Sequence, residues 1–207
     1  VIGLEDVRQA MGLTLKDPAI AQGRMVPGSR QYYPPKPENV RQAGVLALLH
    51  PNEMRQLCVV LTRRTETLRG HSGQISFPGG KRDESDASFL ETALRETCEE
   101  LSFCDENIEI LGTLTTIYIP PSNFEVHPFV GAVDFVPQFV PSPAEVAEVF
   151  SVPLSDLMDE RNCQEEYRDF QGQRVLIPYY AFGRHKVWGA TAILLSELAY
   201  RLQWVLR

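Results

Sequence analysis

Three carboxylates stand close together in one short stretch, Leu94-Arg95-Glu96-Thr97-Cys98-Glu99-Glu100-Leu101. If that stretch is helical, Glu96, Glu99 and Glu100, spaced i, i+3 and i+4, share a face. Like charges so placed repel unless a cation neutralises them, and hard divalent ions are bound by oxygen ligands. Mg²⁺ in particular takes a few carboxylates together with substrate phosphates. The Gly79-Gly80 turn just upstream lets a backbone carbonyl approach the same point, because glycine has no Cβ in the way. Arg95, four residues before Glu99, can orient a carboxylate with its forked guanidinium. A bare E-x-x-E-E is ordinarily only a solvated acidic face; its conjunction with Gly-Gly and Arg-Glu points to metal chemistry.

The elements that must hold these residues follow from pattern. Asp86–Leu101 predicts a helix with Asp86 as N-cap and Leu90, Ala93, Leu94, Thr97 and Leu101 on its apolar face. Strands are expected at residues 43–49, 57–62, 74–77, 108–118 and 125–135, each bounded by Gly, Pro or Asn. A Pro-rich loop leads to residues 145–150 and a short helix near 152–157. A hairpin spans 167–177, and a C-terminal helix runs from Gly189 to about Leu206, with Ala192, Leu195, Ala199, Leu202 and Leu206 as its stripe. Mixed strands with few helices argue an α+β class. Residues 1–40 read as an extension to a domain at 41–207. The Pro-rich arm suits either an embrace of a second subunit in a homodimer or a free tail.

The spacing Gly80, Asp86, Arg95, Glu96, Thr97, Glu99, Glu100, Ser102 and Phe103 resembles the Nudix box, G-x5-E-x7-R-E-U-x-E-E-x-G-U, with U a bulky aliphatic residue. It departs where Asp86 replaces Glu, eight residues rather than seven precede Arg95, Thr97 takes an aliphatic place and Ser102 replaces Gly. Residues 60–80, Val-Leu-Thr-Arg-Arg-Thr-Glu-Thr-Leu-Arg-Gly-His-Ser-Gly-Gln-Ile-Ser-Phe-Pro-Gly-Gly, are similar to the signature of the coenzyme A pyrophosphatase branch. Segments 126–131 and 187–192 also look like branch patterns.

The resemblance implies a Nudix-type α/β/α sandwich of mixed sheet, with a loop-helix-loop at Gly79–Phe103 as metal platform. It implies hydrolysis of the pyrophosphate of coenzyme A or its derivatives, giving 3′,5′-ADP and 4′-phosphopantetheine. Mg²⁺ or Mn²⁺ would be held by Glu96, Glu99, Glu100 and a carbonyl of Gly79 or Gly80, with Glu100 and Glu96 as the strongest ligands. Asp86 is left as an outer-sphere residue or a cap. The resemblance implies a general base from either the box or a later loop, where Glu145 and Glu148, beside the Pro-rich loop, are candidates. NADH, ADP-ribose or another nucleoside diphosphate conjugate would use the same carboxylates. A non-catalytic metabolite-binding Nudix module is disfavoured by their retention.

Charge sharpens the picture. The chain holds 27 acidic against 20 basic residues, a formal −7, which disfavours nucleic acid as a partner. An anionic small-molecule substrate then needs local positive charge. Between Arg63 and Arg82 stand Arg63, Arg64, Arg69, Lys81 and Arg82 against Glu66 alone. Arg64 and Arg69 are candidates for substrate phosphates, since planar forks suit them; His71 would order the loop, and Lys81 and Arg82 add to the same charge. No run approaches the ~20 apolar residues of a membrane span, and no secretory signal is legible at the first residues, so a cytoplasmic protein is expected. Cys58, Cys98, Cys104 and Cys163 lack C-x-x-C or zinc spacing and read as reduced, mostly buried thiols.

Overall fold

The computed structural model describes residues 2–28, 36–65, 73–170 (the last by its backbone) and 172–207. Arg69 and His71 lie outside them. The chain runs α1 (Leu4–Met11), α2 (Pro18–Gln22), β1 (Arg41–Pro51), β2 (Leu57–Arg64), β3 (Ile75–Ser76), β4 (Gly79–Lys81), α3 (Phe89–Leu101), β5 (Glu109–Thr113), β6 (Ile117–Ile119) and β7 (Phe124–Ala132). It continues with β8 (Val146–Pro153), α4 (Leu154–Leu157), β9 (Cys163–Phe170), β10 (Gln173–Phe182), β11 (His185–Trp188) and α5 (Gly189–Val205).

One mixed sheet dominates, with its main strands in the order β3-β2-β1-β7-β5; β4 pairs β1, β6 pairs β7 and β8 pairs β2. β1 and β7 are parallel, from Arg41 opposite Phe124 to Leu49 opposite Ala132, and the remaining pairings are antiparallel. Because side chains alternate along a strand, β1 feeds two cores. Ala43, Ala47 and Leu49 pack on the side of α5; Leu46 and Leu48 pack beneath Ala93 and Leu101 of α3. The result is the mixed-sheet α/β/α sandwich of an α+β chain. A small antiparallel sheet, β11-β10-β9, adds Tyr180, Phe182 and Val187 to the α5 side.

Four expectations are corrected. The strand expected at 108–118 divides into β5 and β6. At the break, both the amide and the hydroxyl of Thr115 donate to Glu197 of α5, at 3.1 Å. The helix expected from Asp86 starts three residues later, with Ser88 as N-cap, its hydroxyl accepting from Glu91 N at 3.1 Å. Cys98 and Cys104 are not thiols but a disulfide, Cα–Cα 4.6 Å; Cys58 and Cys163 are free. The N-terminal residues, read as an extension, are packed into the domain. Val7, Ala10 and Met25 are buried in the main core. Gln22 donates to Glu197 (2.9 Å), and the carbonyls of Leu13 and Ala21 accept from Arg201 and Ser196 (2.8 and 2.7 Å). No helix among the described residues is long and apolar enough to cross a membrane.

Candidate active site

Helical geometry grades the three glutamates of α3. At 100° per residue, Glu100 falls about 20° from Ala93 around the axis, Glu96 about 60° and Glu99 about 120°. Ala93 faces the sheet and is fully buried, so burial should fall in that order. Side-chain exposure is 2% for Glu100, 16% for Glu96 and 53% for Glu99.

β4 closes over the two inner carboxylates. Gly79 N donates to Glu100 Oε2 at 3.3 Å. At Gly80 a Cβ would stand 2.4 Å from the Glu96 carboxylate, and at Gly79 (φ +145°) it would stand 2.4 Å from the carbonyl oxygen of Gly44. The Gly-Gly pair is thus required by close approach on both sides.

Arg95 locks the loop to the helix. Its Nε and Nη2 donate to the two oxygens of Asp86, each at 3.0 Å, and Nη2 also reaches the Lys81 carbonyl at 3.2 Å. Nη1 donates to Glu96 Oε1 at 3.0 Å and to both Glu99 oxygens at 3.2 Å. Asp86 also accepts from Asp83 N (3.0 Å) and the Thr92 hydroxyl (2.9 Å). Its carboxyl is held far below the usual range, first by Arg95 and then by the Asp83 amide. Asp86 is therefore not the helix cap, which is Ser88; it is the anchor of Arg95. Arg82 donates to the Asp86 carbonyl (3.3 and 2.9 Å) and lies over the Phe89 ring at 4.8 Å, so it braces the same loop. Lys81 is exposed at its edge.

The helix ends where Ser102 adopts a left-handed conformation, φ 51°, at the position where the box has glycine. This costs a non-glycine residue about 1 kcal/mol or more. The chain after α3 is held on both sides of that turn. Ser142 N and Val140 N donate to the carbonyls of Glu100 and Leu101, at 2.8 and 2.9 Å, and the Cys98–Cys104 disulfide closes the other side.

The two base candidates part company. β8 places Phe150 in the α5-side core and Val149 in the α3-side core, so Glu148, in step with Phe150, faces away from α3. Arg184, His185 and Arg63 surround it, and Arg184 first among them holds its carboxyl down at about 2. Such a group is an ion-pair partner at neutral pH. Glu145 lies on the α3 side, near enough for its charge to act on both Glu96 and Glu100. Its loop is tied to the end of β2 by Thr65 N donating to the Glu145 carbonyl, 3.0 Å.

Burial pushes Glu100 up to about 7; Gly79 N–H and Arg64 pull it back, while Glu96 and Glu145 push it further. Glu96 is likewise raised, first by burial, with Glu99 and Glu145 adding to the effect against Arg95. Arg64 Nη1 stands 3.6 Å from Glu100 Oε1. Among the described residues, no three His, Cys, Asp or Glu side chains are drawn around one point as ligands of an ion, and Glu99 gives both oxygens to Arg95. The donor chemistry nonetheless fits a hard divalent cation: Glu96 and Glu100 are each raised first by burial and then by neighbouring carboxylates, an unfavourable condition that a cation bound there would relieve.

The family model for the NUDIX domain matches residues 40–172, and the chain belongs to the Nudix hydrolase family. The uncharacterized Nudix hydrolase NudL of Pectobacterium atrosepticum is 39% identical over 174 residues, covering 78% of this chain and 83% of that protein. The mitochondrial Nudix hydrolase 15 of Arabidopsis thaliana is 32% identical over 165 residues, 77% of this chain and 58% of the plant protein. Among solved structures, the MutT protein of Methanosarcina mazei Go1 shares the fold, with TM-score 0.52 at 20% identity over 81% of this chain and 97% of that one.

Proposed function

We propose that this Nudix hydrolase splits the diphosphate of coenzyme A or its derivatives into 3′,5′-ADP and a 4′-phosphopantetheine, with Mg²⁺ or Mn²⁺. The observation that carries hydrolysis is Glu100, a carboxylate 2% exposed and pushed up to about 7. Such burial opposes folding in the ion-free chain, so a functional role explains its presence better than a structural one. The substrate assignment is supported by the likeness of residues 60–80 to the branch signature.

In this reading Glu96 and Glu100, with Glu99 at the rim and a carbonyl of Gly79 or Gly80, would hold the ion. When bound, that ion supplies positive charge for the diphosphate oxygens and lowers the pKa of water. Arg95, pinned by Asp86, keeps Glu96 and Glu99 oriented. Glu145, free of the cations that occupy Glu148, accepts the proton of the attacking water at a carboxylate oxygen. Arg64 meets the substrate phosphates, and Lys81 and Arg82 add positive charge; Arg69 and His71, expected to bind phosphate and to order the loop, lie outside the described residues.

The test is a panel of coenzyme A, an acyl ester of it, ADP-ribose and NADH, each with Mg²⁺ or Mn²⁺ in ¹⁸O-water. Coenzyme A or its ester should be cut fastest, with the label in one phosphate product. Cleavage of ADP-ribose or NADH alone would overturn the substrate assignment, and label in neither product would overturn hydrolysis at phosphorus.

A further inference from the structure

The register of β2 sends its two final arginines to opposite faces of the sheet. Leu57, Val59 and Leu61 lie in the α5-side core and Val60 in the α3-side core. The alternation carries Arg63 to the first face and Arg64 to the second. Their partners agree: Arg63 Nε donates to Glu148 Oε2 at 3.3 Å, and Arg64 faces Glu100. The two contacts of the site's arginines differ in kind. Arg95 is fixed by hydrogen bonds to Asp86, Lys81, Glu96 and Glu99. Arg64 stands 3.6 Å from Glu100, beyond hydrogen-bond length, and is held there by charge. Its side chain is 27% exposed against 2% for Glu100, so one end of the pair is buried and the other reaches solvent.

We infer that Arg64 is an exchangeable counter-ion, holding Glu100 while no divalent cation is present and turning to the substrate's diphosphate once one is. This rests on the carboxylate site proposed above. Arg64 and a divalent ion cannot both sit against one glutamate oxygen without mutual repulsion, so uptake of the ion loosens the guanidinium. A diphosphate removes that conflict, because it is anionic and matches the planar fork. Arg64 thereby makes substrate binding depend on prior loading of the site, beyond any direct contact between ion and phosphate.

The experiment titrates Mn²⁺ into wild-type, Arg64→Gln and Arg64→Lys protein, following the electron paramagnetic resonance signal of free Mn²⁺. Calorimetry with ADP at saturating Mn²⁺ follows, and thermal melts establish that each variant is folded. Arg64→Gln should bind Mn²⁺ alone about threefold tighter than wild type or more, through loss of a competing charge, while Arg64→Lys stays near wild type. ADP should bind Mn²⁺-loaded Arg64→Gln about tenfold more weakly or worse, through loss of a charge-assisted contact. Unchanged or weaker Mn²⁺ affinity in Arg64→Gln overturns the exchange, and unchanged ADP affinity overturns the transfer to diphosphate. Absence of Mn²⁺ binding to wild type would instead overturn the carboxylate site, and the exchange with it.

Discussion

At the scale of single residues, Glu100 ties function to stability with a definite sign. Its carboxyl is raised to about 7 in the ion-free fold, against ~4.3 for a free glutamate. The folded chain keeps a proton that the unfolded chain releases, so this group's contribution is complete below about pH 4 and is lost as pH rises through 7. A shift of that size is worth on the order of 3 kcal/mol. Melts of wild type in a chelator should therefore show lower stability near pH 8 than near pH 5. Glu100→Gln should flatten that slope, leave the protein at least as stable near pH 8, and remove most turnover at saturating Mn²⁺. A variant that melts lower at the alkaline end would show that the Glu100–Arg64 pair stabilises the fold outright.

At the scale of elements, α3 is held at each end by contacts that differ from those its sequence pattern suggested. At the start, Ser88 caps the helix, and Asp86 is spent on Arg95, Thr92 and the Asp83 amide. The signal for this was present: Ser88-x-x-Glu91 is a capping spacing, and it competes with Asp86 for the N-cap. At the end, the left-handed Ser102 brings Cys104 back to Cys98, a pairing for which C-x5-C has no spacing rule. A loop this short, closed covalently, restricts the unfolded chain by about 2 kcal/mol. Alkylation in denaturant without reductant should modify only Cys58 and Cys163, with Cys98 and Cys104 reacting after reduction; four modified cysteines before reduction would contradict the bridge. Reduction should also lower the melting temperature, and Cys98→Ser/Cys104→Ser should make melting insensitive to reductant.

At the scale of the molecule, the first residues complete the core. α1 and α2 pack against α5, and that helix buries Glu197 and Arg201 as well as Leu195 and Leu202. Arg201 donates to Glu197 from Nε and Nη2 at 3.0 and 2.9 Å, and Gln22, Thr115 and the Leu13 carbonyl complete the network. Deleting residues 1–28 removes Val7 and Met25, each worth about 1.5–3 kcal/mol on full burial, and strips partners from a buried ion pair. The truncated chain should melt roughly 10 °C lower or more, or lose cooperative unfolding, as followed by circular dichroism. An unchanged melting temperature would return the segment to the role of a peripheral arm.

The sequence by itself determined what repeats at short range. The apolar runs of β1 and β2, the helix carrying Glu96, Glu99 and Glu100, and the glycines before it are local patterns, and local sterics and burial fix them. Even the grading of the three glutamates is contained in their angles from Ala93. Tertiary structure decided whatever depends on a partner distant in sequence. The burial of Glu197 and Arg201 is not legible in the C-terminal helix itself, because the residues that enclose them, Leu13, Gln22 and Thr115, lie more than 80 positions away. Glu145 and Glu148 have the same chemistry three residues apart, yet β8 turns Glu148 to the cations of the far face and leaves Glu145 beside the carboxylate site. Arg63 and Arg64 are separated in the same way by β2. Composition cannot make these distinctions, because a side chain's charge is local while its neighbours are set by the register of strands that meet only in the folded chain.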